Sequence, residues 1–206
     1  MVPKTPEQLQ PQFAALSRAL GLDPDAVDTL SILRDPSKTS WQSITELIDS
    51  ESLGAHGTFR GCLDGAWLST SPDPMTWQRT GGLARGLLEH GVRHVVVGDL
   101  SEEWYLYSIA HPIKQKQDIR KNLERYYPPY IVQDMIKAYW NLADDAEAEE
   151  FAKLFGIILG TGQVHLPVRL LHRDLLQEKY PTFRYSIKWT PEQLRPKGKC
   201  RELIVE

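Results

Sequence analysis

Three consecutive valines, Val95 to Val97, followed by Gly98-Asp99 and an acidic Ser101-Glu102-Glu103, constrain this chain more than any other stretch. Branched side chains favour a pleated backbone, and a short apolar run bounded by turn residues suits a strand buried on both faces. Gly98 and Asp99 are turn formers, so the strand is expected to stop there. The acidic cluster then falls just beyond the carboxyl end of the strand, where open α/β sheets carry their chemistry. Two readings stay open. Ser101 can cap a helix that has Glu102 and Glu103 in its first turn, or one of the carboxylates can orient a catalytic histidine. Upstream, a helical pattern from Leu83 to His90 ends at Gly91 just before the valines. Helix, glycine and buried strand make half of a crossover unit, which predicts a parallel sheet.

The 206 residues are 41% hydrophobic, ample for a core, and carry a net charge of -3 with both signs interspersed. No basic tract marks a nucleic-acid surface, so no nucleic-acid partner is expected. The amino terminus lacks the apolar segment of a secretory signal, and no stretch reads as long and apolar enough to cross a bilayer. Cys62 and Cys200 could pair or stay free. Cys62 has no basic neighbour in sequence to activate it and reads as a buried structural cysteine.

Helical spacing dominates the rest. Thr5 and Pro6 open a helix with Leu9, Phe13, Leu16 and Leu20 on one face, ended by Gly21. A second helix is expected from Asp23-Pro24 with Val27, Leu30 and Leu33 inward, and a third from Ser40 to Ile48. Residues 51–75 read as a surface excursion with an Asp64-Gly65 turn. Beyond His111-Pro112, helices are expected over Asp118 to Tyr126 and Ile131 to Trp140, where the dense aromatics point to packing. The next helical pattern, Ala146 to Leu159, is interrupted at Gly160-Thr161-Gly162 and resumes from Val164 to Leu176. The glycine pair lacks the lysine and hydroxyl residue of a phosphate loop. His165 reads as a packed helix residue and His172 as solvent-facing among Arg169, Arg173 and Asp174. Neither has a second ligand at metal spacing, so no metal or cofactor is expected. Phe183 to Trp189 alternates as a strand, with Arg184, Ser186 and Lys188 on one face.

Several of these pieces resemble a known family. Phe59 to Gly65 is similar to its Phe-x-Pro-Val-x-Asp-Gly element, and Gly91 to Trp104 to its strand ending in Gly-x-x-x-Asp-Glu-Gly. With the helix through Gln163 to Pro167 and the strand Phe183 to Trp189, the order resembles the carboxyl-terminal half of type-B carboxylesterases. These belong to the α/β-hydrolases and include the cholinesterases, and the variant here is closest to fungal members. The resemblance implies an incomplete α/β-hydrolase fold, the carboxyl-terminal part of a mainly parallel sheet flanked by helices. It spans residues 1–198 as a partial domain and leaves 199–206 as a tail outside the family pattern.

The resemblance further implies a serine esterase acting on a small-molecule carboxylic ester through a Ser-Glu-His triad. Glu103, five residues after Gly98, matches the catalytic glutamate; Glu102 stands at the family's aspartate, and Trp104 replaces the usual glycine. No Gly-x-Ser-x-Gly occurs, and the histidine position past Gly198 reads Lys199-Cys200-Arg201. The serine and its oxyanion hole are thus expected upstream of Met1, and the chain alone is expected not to hydrolyse esters. A non-catalytic binding module on the same fold is the alternative.

Overall fold

A computed structural model describes residues 3–50, 52–53, 59, 61–143, 145–189 and 201–205. The chain divides into two compact units, one of residues 72–123 with 128–206 and one of residues 2–71 with 124–127.

In the second unit, local signals set the helices. Helix α1 (Pro6–Ala19) starts with a reciprocal capping box: Gln8 N–H donates to the Thr5 hydroxyl at 3.4 Å, and Thr5 N–H donates to the Gln8 side chain at 3.0 Å. Leu16 is buried on its inner face, as the spacing predicts, beside Gln12 and Ser17. Helix α2 departs from expectation. It runs only from Thr29–Arg34, and Val27 and Leu30 are exposed. The Asp23 carboxylate accepts the Asp25 N–H at 3.0 Å, and the Asp23 carbonyl accepts the Thr29 hydroxyl. This turn occupies the residues expected to open the helix, and it buries Thr29 instead of the leucine beside it. Helix α3 (Trp41–Asp49) is capped by Ser40, as expected. Asp64 accepts N–H bonds from Ala66, Trp67 and Leu68, which makes the anticipated turn. Cys62 bridges to Lys4 and forms no disulfide, but it is half-buried and not fully enclosed. Arg60 and Cys200 lie outside the described residues.

The first unit holds the sheet. Helices α4 (Pro74–Arg79) and α5 (Gly82–Glu89) precede β1 (Val95–Leu100). Gly91, at φ +77, takes the left-handed conformation that ends α5. Then follow α6 (Glu103–Ile109), α7 (Lys116–Leu123), α8 (Pro129–Tyr139), α9 (Ala148–Gly160), a π-turn (Thr161–His165), α10 (Leu166–Gln177), β2 (Thr182–Trp189) and β3 (Arg201–Val205). The fold is α/β: β1 pairs with β2 in parallel, as the crossover pattern predicts, and β3, drawn from the tail, pairs antiparallel to β2. Ala84, Leu175 and Tyr180 pack beneath β1, with Val95 and Leu171 against them. The Tyr180 hydroxyl donates to the Val92 carbonyl at 2.9 Å, tying the entries of β1 and β2 together.

Two expectations for β1 fail together. The strand continues through Asp99 to Leu100 and does not stop at Gly98, and it is not covered on both faces, since Val96 is 64% exposed. Its continuation depends on glycine: a Cβ at Gly98 would lie 2.5 Å from the Tyr185 ring, which covers that position from β2.

Helix α9 is the centre of a second cluster. Phe151, Leu154, Phe155, Ile158 and Leu159 are buried on it, and it packs against α6, α7 and α8, whose Ile119, Leu123 and Val132 are buried too. The expected interruption at Gly160 is absent. The π-turn carries the helix through, so Ala148–Gln177 forms one helical run of 30 residues. That run is long and apolar enough to cross a membrane by length and composition, which corrects the sequence reading. Five of its apolar residues, Phe151, Leu154, Phe155, Ile158 and Leu159, are buried, and Leu166 and Leu176 are exposed.

Helix α6 lies so close to α9 that a Cβ on Gly156 would meet the Trp104 carbonyl oxygen at 2.2 Å. Alanine normally favours a helix over glycine by about 1 kcal/mol. Here the clash is with backbone, and overpacking of this kind costs about 1–3 kcal/mol. Gly156→Ala should therefore lower the denaturant midpoint, and a rise would contradict the close approach.

Candidate active site

The carboxyl ends of β1 and β2 gather the polar chemistry of the first unit. In the parallel register Val95, Val97 and Asp99 stand opposite Thr182, Arg184 and Ser186. Side chains of one parity share a face, so the polar side of β2 is turned with Asp99 toward the helical layer that carries Leu171 and Leu175. Asp99 is 3% exposed. Its Oδ1 accepts the Ser186 hydroxyl at 2.9 Å, and its Oδ2 lies 3.4 Å from both Arg184 Nη2 and His165 Nδ1. Burial alone pushes the Asp99 carboxyl up, but the Ser186 hydroxyl, the His165 imidazole and the Arg184 guanidinium together hold it below the usual carboxylate range.

This cluster contains the residue types of a hydrolytic triad without its wiring. Ser186 donates to the carboxylate and not to the imidazole, so no base is placed to take its proton. Asp99 is a buried charge with three partners, and it ties the π-turn to both strands. Sequence reading placed Asp99 in a turn and His165 in apolar packing; the structure brings them together. The available signal was parity: Asp99 shares a face with Val95 and Val97, and a carboxylate on an apolar face needs partners.

Glu103 lies three residues beyond β1, at the first position of α6. Its Oε1 accepts the Leu100 N–H at 3.1 Å, and the side chain is half-buried. A Cβ on Gly160 of α9 would lie 3.4 Å from the Glu103 Cβ, so the long helix backs this residue directly. Glu102 is engaged differently: its Oε2 accepts the Trp104 indole N–H at 2.6 Å. Ser101 does not cap α6; its N–H donates to the Ile187 carbonyl at 3.0 Å, extending the sheet ladder, and Glu102 takes the cap position without a side-chain bond.

No family model matches the chain. A protein of Schizosaccharomyces pombe described as "Uncharacterized esterase/lipase C417.12" is 26% identical over 192 residues, covering 90% of this chain and 34% of that protein. The chain is a distant homologue of an esterase/lipase-like protein. It spans about a third of that relative's length. The α/β architecture agrees with this relationship, and the parallel β1–β2 pair fits an α/β-hydrolase sheet.

For an esterase-like chain, the carboxyl edge of the sheet is where the site residues should lie. Glu103, Glu102 and Asp99 all lie there, on or just beyond the end of β1. His172 and Asp174 lie elsewhere, on α10, and His172 is less exposed than expected. His172 is half-buried, with Nδ1 3.3 Å from the Thr182 hydroxyl. Asp174 is buried, accepting from Arg173 and from the Gln78 amide at 2.8 Å. Among the described residues no group of histidine, cysteine and carboxylate side chains could hold a metal ion.

Proposed function

We propose that this chain supplies the acid-bearing portion of a serine-type carboxylic-ester hydrolase, with Glu103 as the carboxylate that orients the catalytic histidine. The observation that carries this reading is the state of the Glu103 side chain. One oxygen is fixed by the Leu100 N–H, and the other has no partner among the described residues. A triad carboxylate needs such an arrangement: held in place, yet able to accept an imidazole N–H and stabilise the imidazolium. Glu102, bound to the Trp104 indole, is the weaker candidate.

The sheet supports the same reading. Because β2 runs parallel to β1 and Ser101 bonds to Ile187, the chain leaves β2 on the side of the sheet where Glu103 stands. That is where the family resemblance sets the histidine segment. The opposite face of the sheet carries exposed Val96, Leu100 and Phe183, and β1 has no partner on its outer edge among the described residues. In an α/β sheet both faces and both flanks are ordinarily covered. We take the open edge of β1 as the place of a larger sheet's remaining strands, with the serine elbow and its oxyanion hole, and the exposed face as the place of the helices that cover such a sheet.

On this reading a protein of the relative's full length, carrying this segment, hydrolyses a short-chain aryl ester, and the chain alone does not. Turnover by the chain alone, or none by the longer protein, would overturn it. The replacement of the family's glycine by Trp104 favours the second reading, a non-catalytic binding module, and inactivity of the longer protein would support that module.

A further inference from the structure

Beside the Asp99 cluster, which shares Arg184 with it, an open cleft of about 380 Å³ is lined by Arg169, His172, Arg173, Leu176, Gln177 and Arg184. Five of these come from α10, where positions 169, 172, 173 and 176 follow the spacing of one helix face. Leu171 and Leu175 turn to the sheet, and the neighbouring face of α10 presents two guanidiniums and an imidazole beside the guanidinium of Arg184 on β2.

The charges do not cancel. Arg173 is bound to buried Asp174, with Nε and Nη2 at 2.9 Å and 2.6 Å from Oδ1, and Arg184 is paired with buried Asp99. Arg169 has no acidic partner among the described residues. The lining therefore keeps one full positive charge in excess. Arg173 retains Nη1 for a further acceptor, and His172 bonds Thr182 through Nδ1, which leaves Nε2 to the cleft. The Gln177 amide adds neutral donors, and Leu176 supplies an apolar wall that strengthens charge-assisted bonds beside it. The volume lies within the range of small-molecule sites.

The geometry points to a binding site for the phosphate group of a small molecule, with Arg169 as its principal charge partner and Arg173 and His172 as flanking donors. Guanidinium forks match phosphate oxygens, and the surplus charge favours a dianion over a monoanionic carboxylate. This assignment does not rest on the hydrolase reading, and its test needs no ester turnover.

The test is a titration of the chain with inorganic phosphate at constant ionic strength, followed by amide chemical shifts. Saturable shifts confined to residues 169–177 and 182–186 are expected, with acetate binding more weakly. Arg169→Ala should weaken phosphate binding about tenfold, the loss expected of one charge-assisted contact. Lys137→Ala, which removes the same charge from an exposed position on α8, should leave it unchanged. Arg169→Gln is a second variant should alanine disturb the helix. Absence of saturation, equal losses from Arg169→Ala and Lys137→Ala, or tighter binding of acetate would each overturn the assignment.

Discussion

In a protein of the relative's length that carries this segment, Glu103→Gln should cut turnover of a short-chain aryl ester by about 10²-fold or more, the scale on which triad carboxylates act. Glutamine keeps the shape of the side chain and an oxygen for the Leu100 N–H, so α6 should start as before. On the proposed reading, what it loses is the negative charge that would face the histidine. An amide also offers its own N–H to the imidazole, which favours the wrong tautomer. Glu102→Gln is the matched control, because glutamine at that position still accepts the Trp104 indole N–H and the proposed reading gives Glu102 no triad role. Equal losses from the two substitutions, or a larger loss from Glu102→Gln, would move the triad role away from Glu103.

Asp99→Ala should be strongly destabilising. Removing one member of a buried charged network costs about 3–5 kcal/mol. Three groups lose their acceptor here: the Ser186 hydroxyl, Arg184 Nη2 and His165 Nδ1. Loss of these ties should show as a fall in the denaturant midpoint. A fall no larger than that of an exposed substitution would show the network to be dispensable. The same carboxylate predicts a pH dependence. Its folded value lies below the unfolded one, which is about 3.9. The ionised form therefore stabilises the fold fully above that unfolded value, and the contribution is lost as pH falls through the folded value. Between pH 6 and pH 2, stability of the wild-type chain should fall more steeply than that of Asp99→Asn; parallel curves would contradict the assignment.

The helices were legible in the sequence where their causes are local. Thr5-Pro6 with Gln8, Ser40 with Ser43, and Gly91 after α5 all act within a few residues, and the structure shows each doing so. The β1–β2 pairing was legible because a crossover pattern forecasts parallel strands. The interior of the site was not. Asp99 looks like a turn residue until Arg184, Ser186 and His165 arrive from positions 66 to 87 residues away, and no local rule links them. The end of β1 was misplaced for the same reason, since only Tyr185 explains why Gly98 belongs inside the strand. At Gly160-Thr161-Gly162, glycines that usually signal a break are accommodated by a wider turn, so two expected helices are one. Asp23, which the spacing expects to open α2, captures Thr29 through its own backbone, a competition with helix formation that hydrophobic spacing does not register.

The π-turn sets the angular phase of everything after it. An α-helix advances about 100° per residue, and a π-turn takes up one more residue than the α-turn it replaces. Were Thr161–His165 regular α-helix with the same residues, α10 would be rotated by about that angle on its own axis. Asp174 and Leu175, now buried, would swing toward the flank, and the arginines of the cleft would leave β2. The wide turn therefore works as a spacer in rotation: it lets one unbroken helix show Phe151, Phe155 and Ile158 inward in its first half and Leu171 and Leu175 to the sheet in its second, with the arginines beside that face.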